Sequence, residues 1–331
     1  MDELPIIDIA PLLHDGRRAE WPTVDAAIGA AIEQFGGFVV SGYPQADMVD
    51  QWARTALRFY DLSDEGKRQV STRVWEPAAR TVYRGYRSSL RPGEWAYNEM
   101  FDIGPARPFP GPDVEGMHVF AEENVWPEPE PCDGWRVAME SYYELMQRVG
   151  MAVMLSAGRW AGFDDADLQR RFREGNSTLR LLNYPVKPDD WPVDPNAAVA
   201  ADGRPIAAVR HTDVAGVSLL WQREGGLQAE APDGTWRDVP LVANAVSVHL
   251  GTVLEVMTEG RVRATPHRVL DSGTHRQSIG FFVEPGLAAS VGPLAGDDGT
   301  DDVRHSYGWH LQQRFSTMRG YQGLVPPPRL P

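Results

Sequence analysis

The sequence predicts an α+β chain whose core is mainly β, a sandwich or barrel supported by helices. Two patterns and the chain length predict it. After residue 177 the chain breaks into short β-type runs parted by turns, among them STLRLLNYP, AAVRHTD, GVSLLWQ, NAVSVHLG, ATPHRVL and RQSIGFFVEP. Such runs, spaced roughly 8–12 residues apart, mark a sandwich or barrel. From about Gly134 to Trp160, the residues Trp135, Met139, Tyr142, Leu145, Met146, Val149 and Val153 recur at helical spacing. One apolar stripe of that length is a core helix laid on a sheet. With 331 residues, 42% of them hydrophobic, the chain can bury a large core.

The elements follow in order. PIIDI (5–9) reads as a short edge strand after a proline. Residues 23–35 carry Val24, Ala27, Ile28, Ala31, Ile32 and Phe35 at helical spacing, and Gly36-Gly37 stop that helix before a buried strand, Phe38–Val40. A second helix is expected over 46–60, ahead of a charged turn, LSDEGK (62–67). In the β-rich part, the Asp-Gly of APDGTW signals a hairpin. The segments 185–205 and 294–302 are long Pro/Asp/Gly-rich loops, of the kind that is mobile or functional. The last residues, HLQQRFSTMRGYQGLVPPPRLP, predict a helix and a tail over the pocket mouth. No internal repeat is evident. The expected organisation is one continuous fold: 1–125 an N-terminal helical and strand region, 126–176 the long supporting helix, 177–288 the β core, and 289–331 a C-terminal loop, helix and tail.

A net charge of −14 argues against general binding to nucleic acid or anionic membranes, which need a positive surface. The single cysteine, Cys132, permits no internal disulfide and no cysteine-based metal site. The first residues, MDELPIIDIAPLL, are acidic where a signal peptide is basic, and no run approaches the length of a membrane span. A cytoplasmic protein, monomer or weak homodimer, is expected. Any metal would be held by His and carboxylate.

One short stretch, AAVRHTDVAGVSLLWQ, holds His211 two residues before Asp213. With 8 His and 46 acidic residues, such a triplet arises about once by chance, so its neighbours decide. On a strand, residues i and i+2 share a face, so an imidazole and a carboxylate can aim at one point. ATPHRVL supplies a second imidazole, His267, in another strand-like run. Two His and one carboxylate leave open positions on an ion and suit non-haem Fe(II). A zinc hydrolase accepts the same donors. In HRQSIGFFVEP, Arg276 and Ser278 share one face while Gln277, Ile279 and Phe281 take the other. A guanidinium facing a barrel interior calls for an anion, which makes the pair a candidate carboxylate clamp; the plainer reading is a surface arginine on an edge strand.

With these residues in place, the sequence resembles the isopenicillin N synthase-like iron/2-oxoglutarate-dependent dioxygenases. The ordered set is His211-x-Asp213, then His267 after 53 intervening residues, then Arg276-x-Ser278 nine and eleven residues on. GGLQAEAPDGTWRDVP looks like the family's hairpin, and LRLLNYP like its strand ending in Tyr-Pro. LPIIDIAPL, FGGFVVSGYP and FYDLSDEGKRQV look like its N-terminal region.

The resemblance implies a double-stranded β-helix (jelly roll, cupin-like) with an N-terminal helical layer. It implies that His211, Asp213 and His267 ligate Fe(II), that Arg276 and Ser278 hold the far carboxylate of 2-oxoglutarate, and that Tyr184 lies near this cosubstrate. With O2, a small-molecule metabolite would be hydroxylated, desaturated or cyclised as succinate and CO2 leave. The chain departs from the pattern at Leu182, where relatives carry Asn, and at His249 and Thr252, which replace the usual Asn and Asp. His249 is thereby a rival ligand. Two alternatives stand: a 2-oxoglutarate-independent oxidase of the isopenicillin N synthase type, and a non-catalytic ligand-binding protein of the same fold. For the substrate, VYRGYRSSLRPGEWAYNEMF (82–101) is a candidate rim, with Arg84, Arg87, Arg91, Phe101 and, from the next strand region, Arg180 as candidate contacts to an anionic metabolite.

Overall fold

The computed structural model describes residues 3–90, 96–191, 199–294 and 302–330. Arg91, and parts of the loops 185–205 and 294–302, lie outside them. In chain order the elements are β1 (Ile6–Asp8), α1 (Trp21–Phe35), β2 (Gly37–Ser41), α2 (Ala46–Leu57), α3 (Asp64–Gln69), β3 (Gly85–Ser88), β4 (Glu99–Ile103), α4 (Trp135–Trp160) and α5 (Asp165–Phe172). There follow β5 (Thr178–Tyr184), β6 (Ile206–His211), β7 (Val217–Gln222), β8 (Leu227–Glu230), β9 (Trp236–Asp238), β10 (Val246–Leu250), α6 (Thr252–Met257), β11 (His267–Leu270), β12 (Arg276–Val283) and α7 (Tyr307–Thr317). The strands form two sheets, one ordered β1-β2-β10-β7-β12-β5-β4-β3 and one ordered β6-β11-β8-β9. All pairings are antiparallel except β1 with β2. The two sheets face each other as a jelly roll, and the functional cavity lies between them.

The outer face of the large sheet is covered by helix. All seven stripe residues of α4 are buried, and the helix packs on β7 and β12. Gly150 permits this approach: a Cβ there would stand 2.4 Å from Val283 Cγ2. On β12, Ile279 and Phe281 point to this covered side, where Tyr143 meets Phe281 edge-on at 5.0 Å. Arg276, Ser278 and Phe282 therefore point the other way, into the cavity. The Asp-Gly hairpin joins β8 to β9, with Gly234 at φ +82°.

Three local expectations need correction. The helix expected over 46–60 ends at Leu57, and residues Arg58–Asp61 tighten into a 3₁₀ turn. The charged stretch at 62–67 begins a short helix, α3, because the Ser63 side chain accepts a hydrogen bond from Gly66 N–H at 3.2 Å and caps it. Residues 82–101 are more than a rim, since β3 and β4 extend the large sheet by a hairpin. Among the described residues, no helix is long and apolar enough to cross a membrane.

Candidate metal centre and its cavity

His211 ends β6 and His267 begins β11, directly across the ladder from it. Their ring centroids are 4.2 Å apart. Asp213 follows in the turn after β6, with its Oδ1 3.8 Å from His211 Nε2 and its Oδ2 3.7 Å from His267 Nε2. One donor atom from each residue falls within 4.8 Å of the others, the spacing of ligands around one ion. Each ring is oriented by the main chain two residues upstream: His211 Nδ1 lies 2.8 Å from the Val209 carbonyl and His267 Nδ1 3.1 Å from the Thr265 carbonyl. A carbonyl only accepts, so each Nδ1 carries the proton and each Nε2 keeps its lone pair for a metal. Burial, with His211 beside it, keeps the His267 imidazole below its ordinary pKa, against the pull of Asp213.

The carboxylate is fixed as firmly. Ser218 Oγ donates to Asp213 Oδ2 at 2.6 Å, and Thr252 N–H donates to the Asp213 carbonyl at 2.9 Å. Gly251 makes that second contact possible, because a Cβ there would stand 2.0 Å from the Ala215 carbonyl oxygen. Thr252, a departure from the family pattern, thus supports Asp213 through its main chain and also through its side chain, Oγ1 donating to the same carbonyl at 3.3 Å. His249 is no member of the donor cluster. Its fully buried ring lies 4.8 Å behind His267, with Nε2 3.2 Å from Ser247 Oγ. Burial first, then the two other imidazoles, drives its pKa well down, so it stays neutral.

The three donors open onto a cavity of about 230 Å³ that both sheets line. The inward faces of the large sheet read as rows across the strands. Tyr184 faces Arg276; Leu182, Ser278 and Gln222 form the next row; Asp102, Arg180, Gly280 and Leu220 the third; Phe282, Ser218 and His249 the fourth. The Arg276 guanidinium is buried, donating to the Gly225 carbonyl at 3.1 Å, Ser278 Oγ at 3.1 Å and Gln222 Oε1 at 3.4 Å, with the Tyr184 ring 5.5 Å away. Burial lowers its pKa, against the opposing pull of Tyr184 and Glu224. Among the described residues it meets no carboxylate at ion-pair distance.

The substrate candidates separate. Arg180 lines the cavity, as does Met100, whereas Phe101 does not. Strand alternation explains this: Phe101 turns to the outer face and stacks on Phe59 at 4.3 Å, while Met100 and Asp102 turn inward. Arg84 also fails as a rim residue. It precedes β3 at the closed end of the sheet, 1% exposed, donating to the carbonyls of Ile103 and Asn176 and to Thr178 Oγ1. Arg87 reaches inward but is engaged by Asp102 Oδ2 at 3.0 Å and by Tyr321 Oη at 3.2 Å. Sequence reasoning alone misses Ser218, Gln222 and Asp102. Counting back by twos from Gln222 along GVSLLWQ, or forward from Met100, places all three on the cavity side.

The sequence profile of the 2OG-Fe(II) oxygenase superfamily matches residues 176–285, and that of the non-haem dioxygenase in morphine synthesis N-terminal region matches residues 4–129. The chain belongs to this oxygenase superfamily. The enzyme is 28% identical to isopenicillin N synthase of Streptomyces clavuligerus, over 93% of each chain. It is likewise 28% identical to the 2-oxoglutarate-dependent dioxygenase citB of Monascus ruber, over 95% of each. Among solved structures, a full-length Neurospora crassa protein in complex with alpha-KG and thymine shares its fold, with a TM-score of 0.68 and 24% identity over 88% of this chain and 89% of that one. The oxygenase is thus an oxidoreductase of the Fe(II)/2-oxoglutarate class. Its donors fit that cofactor: two imidazoles and a carboxylate suit Fe(II), and a buried guanidinium without a carboxylate suits a diacid.

Proposed function

We propose that this oxygenase oxidises a small-molecule metabolite, by hydroxylation, desaturation or cyclisation, with release of succinate and CO2. In this reading His211, Asp213 and His267 hold the iron, Arg276 and Ser278 hold the far carboxylate of 2-oxoglutarate, and Tyr184 packs against that end. The observation that carries it is the presence, in one cavity, of a three-donor cluster and a buried guanidinium with no carboxylate partner among the described residues.

When bound, Fe(II) and 2-oxoglutarate supply an O2-derived oxidant, paid for by oxidative decarboxylation of the cosubstrate. The chain's own residues position and exclude. The Val209 and Thr265 carbonyls hold the Nδ1 protons, keeping both Nε2 atoms turned to the ion. Ser218 fixes the carboxylate rotamer. Arg276 sets the cosubstrate's far end, and Leu182, Leu220, Leu227 and Val269 give the cavity apolar walls that keep water from the reacting atoms.

The test is anaerobic. Adding Fe(II) and 2-oxoglutarate should give the weak visible charge-transfer band, lost in His211→Ala and kept in His249→Ala. The likeness to isopenicillin N synthase favours, as a second reading, oxidation without 2-oxoglutarate. Succinate formed in step with substrate oxidation supports the first reading; oxidation with no 2-oxoglutarate consumed supports the second.

A further inference from the structure

On the large sheet the cavity has three chemically distinct corners. Ser218, joined to Asp213, marks the metal corner; Arg276 marks the diacid corner; Arg180 stands at a third, off the line between them. Arg180 lies four residues along β5 from Tyr184, about 13 Å at strand rise, and two strands from Leu220, about 10 Å at strand spacing. A diacid stretched from the metal to Arg276 leaves this third corner open.

The corner is positively charged. Asp102 is fully buried and accepts from Arg180 Nε and Nη2, each at 2.8 Å, and from Arg87 Nη1 at 3.0 Å. One carboxylate therefore answers two guanidinium groups. Burial pushes the Asp102 carboxyl up, but Arg180 and Arg87 outweigh it and hold it below its usual range, so it is ionised. Arg84 adds a third guanidinium at the closed end, beside Glu284. Burial raises the Glu284 carboxyl to about 7, which weakens it as a counter-charge near neutral pH. The Arg180 and Arg87 side chains are only part-buried, so a further anion can reach them, and positive charge in excess of its counter-charge in a cavity wall favours one. Arg180 keeps a group for one: Nη1 has no hydrogen-bond partner among the described residues. Its guanidinium lies 5.4 Å from the Phe282 ring, which folds back over Gly280 toward the cavity floor.

We infer that Arg180, backed by Asp102 and Arg87, is the carboxylate-binding subsite for the organic substrate, which is a small monoanionic acid with a compact apolar body. The body lies along Met100, Leu182, Leu220 and Phe282, and the carboxylate meets Arg180 Nη1. This rests on the dioxygenase reading for the position of the reacting carbon, while anion binding at Arg180 stands without it.

The test uses full-length protein and two matched pairs of probes, 3-phenylpropionate with its primary amide and 4-methylpentanoate with its primary amide. Calorimetry is run on the metal-free protein and on the anaerobic complex with Fe(II) and 2-oxoglutarate. At least one acid should bind about tenfold more tightly than its amide, as one charge-assisted contact allows. Arg180→Gln should erase that preference and leave the 2-oxoglutarate band intact. Asp102→Asn, which releases Arg180, should tighten the acid, an outcome that a purely structural ion pair does not give. Amides binding as well as acids, no binding by either acid, or acid preference surviving Arg180→Gln would each overturn the inference. Loss of the 2-oxoglutarate band in Arg180→Gln overturns it too, by assigning Arg180 to the cosubstrate. A wild-type protein that binds the acids yet forms no band with Fe(II) and 2-oxoglutarate instead refutes the dioxygenase reading and leaves the anion subsite standing.

Discussion

Gln222 stands directly across the β7–β12 ladder from Ser278. Its amide oxygen accepts from the Leu227 N–H at 3.3 Å and from Arg276 Nη2 at 3.4 Å. With Oε1 so engaged, the Nε2 end is the one left to donate into the cavity it lines. Gln222→Leu should therefore raise KM for 2-oxoglutarate about tenfold, the worth of one hydrogen bond to a charged group, with kcat little changed. Steady-state kinetics at saturating substrate check this; a fall in kcat at unchanged KM would remove Gln222 from the clamp.

Ser218 fixes the Asp213 carboxylate and touches no other donor. Ser218→Ala should weaken Fe(II) binding about 10–100-fold, the usual cost of losing a partner behind a metal ligand. Anaerobic metal titration reads it directly. Equal affinity in the two proteins would mean that Asp213 needs no second contact.

Glu284 gives the fold a pH dependence of predictable sign. Burial raises its folded pKa from 4.5 to about 7. Between those values the folded chain holds a proton that the unfolded chain has released, so stability falls as pH rises, by about 1.4 kcal/mol per unit. Glu284→Gln keeps the Thr178 contact and removes the titration. Denaturant midpoints measured from pH 5 to 8 should fall more steeply in the wild type than in the variant. Parallel curves would show that the carboxyl is ionised throughout.

Tyr321 anchors the C-terminal tail. It is 4% exposed, stands edge-on to Phe315 at 4.7 Å, and its hydroxyl accepts from Arg87. Val325 beyond it is buried as well. Truncation after Ser316 should cost about 3–5 kcal/mol, comparable to emptying a core position, and thermal unfolding will register it. Unchanged stability would mean that this packing is dispensable. Tyr321→Phe keeps the packing and drops only the hydroxyl, so it should cost about 1 kcal/mol.

What could be read from sequence divides by the reach of the pattern. The α4 stripe and the alternation along RQSIGFFVEP are local periodicities enforced by one covered face, and the fold keeps both. The convergence of His211, Asp213 and His267 follows from an i, i+2 pair and one ladder partner. Phe101 and Arg84 escape such a reading because the β3–β4 hairpin carries mixed polar and apolar residues on both faces, which hides its register. Asp102 escapes it for the same reason: a buried acid between two arginines is visible only once three strands are aligned.

Both imidazoles take their orientation from carbonyls two positions upstream in the chain, Val209 on β6 and Thr265 just before β11. Main-chain oxygen is present whatever residue occupies those sites, so the two ring orientations are insulated from replacement of the Val209 and Thr265 side chains. On the proposed substrate placement, Met100, Leu182 and Phe282, which line the cavity apart from those carbonyls and from Ser218, are the positions to randomise when a new specificity is sought.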